Sequence, residues 1–139
     1  MRNLAARVGY ELPDGWRLCG ENLWAKHSIE YNNLESYFYL FSIWDEKNNC
    51  LNWDQTLEWA KLLDIVCVPT IYDGIYNESK IKESFEPYRK DHEGYVVRLA
   101  EQFHYSEFKY SLGKFVRSNH VQTSNHWKFE KIEKNLLKK

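Results

Sequence analysis

The sequence predicts an α+β domain with a mainly antiparallel sheet and flanking helices. Three observations carry that prediction. Short aromatic-rich stretches recur along the chain, the clearest being SYFYLFSIWD at 36–45. Segments with helical spacing separate them, one opened by the capping-box pattern of Asn52 and Gln55. The strands are half-polar, which fits antiparallel pairing with one wet face better than a doubly wound sheet.

The elements follow in order. Residues 2–9 read as a short helix or helix remnant, and Pro13, Asp14 and Gly15 form a turn signal. WRLCGE at 16–21 reads as a strand, and LWAKHSI as a second strand or an excursion. The strand at 36–45 is closed by the polar EKNN turn. A helix follows over about 53–64, with Leu57, Ala60 and Leu63 one turn apart. IVCVPTIYDG reads as a short strand broken by Pro69. Residues 77–86 read as a helix with Ile81 and Phe85 inward, stopped by Pro87. GYVVRLA is a strand with Tyr95 and Val97 on one face and Val96 and Arg98 on the other. FKYSLGKFVR, 108–117, is a further strand, and 128–139 closes the chain as a basic helix with Phe129, Ile132 and Leu136 on one stripe.

A chain of 139 residues builds one core rather than two. Its aromatic content of 17% supplies large rings with polar handles and argues against disorder. Net charge is −1 but uneven: residues 1–108 carry 11 Lys/Arg against 18 Asp/Glu, and residues 109–139 carry 8 against 2. The basic end is either a surface for a polyanion or a solvated face. Cys19, Cys50 and Cys67 form no CxxC pair, which points away from a disulfide scaffold and towards a cytoplasmic or other intracellular reducing compartment. No 18-residue apolar run exists, so no membrane-spanning helix is expected.

HEGYVVR, 92–98, sets a carboxylate and a glycine directly before a strand. Glycine allows close backbone approach, and Glu93 is either an oxygen ligand for a divalent cation or a solvent-facing acid. Lys114 in SLGKFVR is either a phosphate-neutralising cation or a surface lysine. Glu21 follows Gly20 and either accepts from a sugar hydroxyl or caps a turn. Phe41 either stacks on a base or packs in the core. The five histidines give no zinc pattern, and there is no Walker loop, Rossmann fingerprint or nucleophile elbow.

Taken in order, CGENLWAKHSIEY (19–31), YFYLFSIWDE (37–46), HEGYVVR and SLGKFVRSNHVQTSNHW (111–127) resemble motifs III, IIIa, IV and V of the nucleotidyltransferase domain of ATP-dependent RNA ligases. The HVQTSNHW segment favours RNA ligases over DNA ligases and capping enzymes. In that family a lysine attacks the ATP α-phosphate. AMP passes to an RNA 5′-phosphate, and the RNA 3′-hydroxyl then displaces it. The resemblance implies a partial nucleotidyltransferase domain of ATP-grasp-like type, with ATP and Mg2+ as cofactors. Its partner is RNA with 5′-phosphate and 3′-hydroxyl ends. By resemblance Glu21 contacts the ribose, Phe41 or else Phe38 stacks on adenine, Glu93 holds the cation or its water, and Lys114 contacts the α-phosphate. Glu93 and Lys114 are the implied catalytic pair.

Two departures stand out. Val116 occupies the place of a second motif V lysine, and Arg117, its nearest substitute, points to the other strand face unless a bulge intervenes. The KxxG motif that supplies the nucleophile is missing: the residues three before the six glycines are Ala6, Leu12, Arg17, Ile71, Asp91 and Tyr110. The chain is therefore expected to be a single incomplete domain, inactive by itself, that needs a missing N-terminal segment or a complementing chain. The alternatives are a noncatalytic RNA- or nucleotide-binding module and a subunit of a split ligase.

Overall fold

A computed structural model describes residues 2–26, 29–118 and 132–139. The order is helix α1 (Arg2–Gly9), strands β1 (Arg17–Asn22), β2 (Phe38–Trp44) and β3 (Asn49–Cys50), and helices α2 (Trp53–Leu62) and α3 (Glu78–Phe85). Strand β4 (Gly94–Arg98), strand β5 (Phe103–His104), the one-turn helix α4 (Phe108–Ser111) and strand β6 (Leu112–Val116) follow. The strands form a four-stranded sheet, β1-β2-β3-β5, and a two-stranded, hairpin-like sheet, β4-β6, whose strands are joined through β5 and α4. Every strand pair is antiparallel, so the chain is α+β.

The predicted helices α2 and α3 form, and each is started by an asparagine. The Asn52 Oδ1 accepts from the Gln55 amide at 2.8 Å, and the Asn77 Oδ1 from the Lys80 amide at 3.0 Å. Such caps satisfy amides that the first helical turn leaves open. The inner face of α2 differs from the predicted stripe. Thr56, Ala60 and Leu63 are buried, whereas Leu57 is 41% exposed. The Thr56 hydroxyl donates to the Asn52 carbonyl at 2.9 Å, so this polar residue enters the core already paired.

The β1–β2 register shifts between Cys19, opposite Ser42, and Gly20, opposite Leu40. Phe41 is the extra residue of a β-bulge. The bulge sets Leu40 and Ile43, three positions apart, into one core with Leu51 and Ala60 under α2. Trp44, Cys50 and Phe103 form a second cluster on the opposite face, with Cys19 against it. A Cβ at Gly20 would meet the Phe38 ring and the Tyr39 carbonyl, so glycine is the residue that lets the strands close here.

The hairpin packs one face on α3. Tyr95 and Phe115 stack at 4.9 Å, and Phe85 meets Tyr95 edge-on at 5.1 Å. The other face carries Val96 opposite Lys114 and Arg98 opposite Leu112.

Three predicted elements are corrected. Phe108–Ser111 is a helical turn, so the strand starts at Leu112. IVCVPTIYDG forms no strand: Val66 and Val68 make single hydrogen bonds to Leu40, and Cys67 gives one parallel bridge. The predicted C-terminal helix does not exist over 132–139. Its amides serve residues 23–37 instead of carbonyls one turn back, and bridges join Lys134 to Ala25 and Leu137 to Leu34. Of LWAKHSI, residues 23–26 and 29 are described; among them Ala25 makes a single bridge to Lys134, and no strand forms. The HVQTSNHW segment and residues 128–131 lie outside the described residues.

The observed face of α2 gives a direct test by urea unfolding. Leu63→Ala should cost about 2–5 kcal/mol, while Leu57→Ala should cost under about 1 kcal/mol. Equal losses would restore the predicted stripe.

Candidate functional site

Glu21 lies on β1 opposite Tyr39 and is exposed. Glu93 precedes β4, where the Arg117 amide donates to its carbonyl at 2.9 Å and extends the hairpin by one rung. A Cβ at Gly94 would run into the Phe115 backbone, so the glycine after Glu93 answers a close approach between the strands. The two carboxylates are far apart in sequence, yet both act on one phenol. Burial pushes the Tyr31 hydroxyl above its ordinary value, the charges of Glu93 and then Glu21 push it further, and Arg117 opposes them. Tyr31 also meets His92 edge-on at 6.3 Å, and His92 meets Tyr88 at 5.6 Å. The result is an acidic corner with one arginine beside it.

A second contact joins the hairpin to the large sheet. The Arg98 guanidinium donates to the Leu51 carbonyl at 2.9 Å and to the Phe41 carbonyl at 3.4 Å. It also lies 5.5 Å from the Trp53 and Phe103 ring centres. Cys50 sits beside it: burial raises that thiol, and the guanidinium opposes the rise. Lys114 and Val96 share the Arg98 face of the hairpin, and both are exposed. The face that carries Lys114 is thereby turned towards the bulge that carries Phe41. The Phe41 ring is 40% exposed, whereas Phe38 packs against the α2 core.

Glu21 and Glu93 both act on the Tyr31 hydroxyl, the Phe41 carbonyl is held by Arg98, and Lys114 lies opposite Val96 on the Arg98 face. Arg117 lies beyond β6 at the acidic corner, although the β4–β6 register is regular and carries no bulge. Among the described residues, no group of three His, Cys, Asp or Glu could hold a metal ion.

A family model described as RNA ligase matches residues 1–116. The chain belongs to the RNA ligase family. No curated protein and no solved structure matches it. The matched span of this RNA ligase family member includes Glu21, Phe41, Glu93 and Lys114. Among the described residues, no helix is long and apolar enough to cross a membrane.

The sequence reading missed Tyr31 and Arg98. Tyr31 sits in a segment without periodicity, so nothing local marked it. Strand alternation did set Arg98 on the Val96 face, but the two acceptors that tie it to the large sheet lie more than forty residues away.

Arg98 is therefore expected to tie the two sheets. Arg98→Ala should cost about 1.5–3 kcal/mol in urea unfolding, since hydrogen bonds to a charged donor are lost. Arg98→Lys should recover less than half, because an ammonium cannot reproduce the planar fork. Full recovery by lysine would reduce the role to charge alone.

Proposed function

We propose that this chain forms the nucleotide- and metal-binding side of an RNA ligase adenylation site. The observation that carries the reading is the RNA ligase family match over residues 1–116, and the joint effect of Glu21 and Glu93, 72 positions apart, on the Tyr31 hydroxyl supports it. In this reading Phe41 stacks on adenine, since its ring is open while Phe38 is occupied by the core. Glu21 accepts from the ribose. Lys114 meets the α-phosphate from the open hairpin face. Arg117 supplies positive charge near the carboxylates, in place of the second motif V lysine.

Magnesium commonly takes one or two protein carboxylates and fills its other positions with water and phosphate oxygens. Glu93 as a single carboxylate ligand fits that mode better than a preformed cage would. Bound there, the cation would offset charge on the reacting phosphate. RNA with 5′-phosphate and 3′-hydroxyl ends is the substrate class. The basic residues of 109–139 support contact with its backbone. Three free thiols support a reducing compartment.

No lysine stands three residues before any of the six glycines, so the nucleophile is supplied by another segment or chain. With α-labelled ATP and magnesium, the chain alone should yield no acid-stable, lysine-linked adenylate. Adding a KxxG-bearing ligase segment should yield one. A covalent adenylate on the chain alone would overturn this assignment.

The two phenylalanines separate by a second measurement. Phe41→Ala should weaken ATP binding by about 1–3 kcal/mol with the unfolding midpoint nearly unchanged. Phe38→Ala should lower the midpoint instead. The reverse pattern would move the adenine platform to Phe38.

A further inference from the structure

The C-terminal residues do something that a solvated basic tail would not. Asn135 is only 1% exposed, and its amide group is fully used. Its Oδ1 accepts from the Tyr31 amide at 2.9 Å. Its Nδ2 donates to the Leu23 carbonyl at 2.8 Å and the Ala25 carbonyl at 3.3 Å. One side chain thus joins the beginning of the 23–37 excursion to its middle. The backbone adds to this: the Asn135 amide donates to Trp24 at 3.1 Å, and the Tyr37 hydroxyl donates to the Asn135 carbonyl at 3.2 Å.

Tyr31 is the residue held most directly. The Asn135 side chain takes its amide, and the Leu136 amide donates to its carbonyl at 2.8 Å. Both of its backbone groups are fixed by two consecutive residues of the C-terminal segment. Around them Lys26 bonds both Glu30 and Glu133, and Lys134 lies over the Trp24 ring at 5.0 Å. These outer contacts are exposed and contribute little. Asn135 is the buried one, where an amide left unmatched is costly and an amide fully matched specifies one arrangement.

We propose that Asn135 is a positioning residue for the candidate nucleotide site, holding the 23–37 excursion so that Tyr31 stands against His92 beside Glu93. The proposal rests on the nucleotide reading of that corner. It adds that the corner is assembled from the far end of the chain, beyond the span that marks the family. Asn135 touches no reacting atom; it acts through Tyr31.

The test uses the full chain and two readouts, hydrogen exchange over 23–37 and Mg·ATP affinity by calorimetry. Asn135→Ala should speed exchange over 23–37 at least about tenfold while leaving 38–44 protected. Mg·ATP should then bind roughly tenfold more weakly, at a temperature where circular dichroism shows a folded chain. Asn135→Ser keeps one hydroxyl, which can replace at most part of the lost bonding without burying a charge against the Leu23 and Ala25 carbonyls, so it should fall between Ala and wild type. It also decides the matter if the alanine variant does not fold. Leu63→Ala, destabilised under α2 instead, should keep Mg·ATP affinity within about twofold. Affinity that stays at wild-type level once the excursion is loosened would overturn the proposal. So would an affinity loss in Leu63→Ala as large as that in the Asn135 variants. Failure of the wild-type chain to bind Mg·ATP would remove the nucleotide reading itself, a result distinct from either.

Discussion

Arg98 spans the interval between the two sheets, and the arrangement of the other site residues follows from what its guanidinium can do. The group is planar, permanently charged and weakly hydrated, so it can lie near aromatic rings and still donate in its own plane. Here it has Trp53 and Phe103 for neighbours and the Leu51 and Phe41 carbonyls for acceptors. An ammonium has donors but no planar fork, so it could not reach both carbonyls in one plane while lying against both rings. A neutral side chain would leave carbonyls of the large sheet facing the hairpin without a donor from it.

The Phe41 carbonyl is offered at the β1–β2 bulge, and the bulge in turn depends on Gly20. The same residue that breaks the ladder presents an open ring. Backbone irregularity, exposed aromatic and bridging arginine therefore form one unit. Without the extra residue, Leu40 and Ile43 would fall on opposite faces of β2, and the α2 core would lose one of them. Core packing and the placement of Phe41 thus share a single cause.

The acidic corner has a different logic. Glu21 lies on the large sheet and Glu93 directly before the small one, and two negative charges acting on one half-buried phenol are unfavourable unless something offsets them. Arg117 offsets part of that charge. In the proposed function a divalent cation and its phosphate ligand complete the balance. The C-terminal segment fixes the loop that carries Tyr31, so one end of the chain shapes a corner whose other members lie well upstream.

The sequence by itself determined the α+β class, the two asparagine-capped helices, the strands at β1, β2 and β4, and membership of the RNA ligase family. These are local signals: alternation, caps, turn residues and short motifs survive without knowledge of what packs against them. Tertiary structure decided the rest. Leu57 carried the helical period and still faces solvent, because Thr56 arrives in the core with its hydroxyl already bonded to Asn52. Ile132 and Leu136 likewise suggested a helix stripe. The amides around Asn135 found carbonyls in 23–37, and a backbone bonded to a distant loop cannot also close helical turns. The joint effect of Glu21 and Glu93 on Tyr31, and the bond from Arg98 to the Phe41 carbonyl, depend on which sheet faces which. No periodicity within a single strand encodes that.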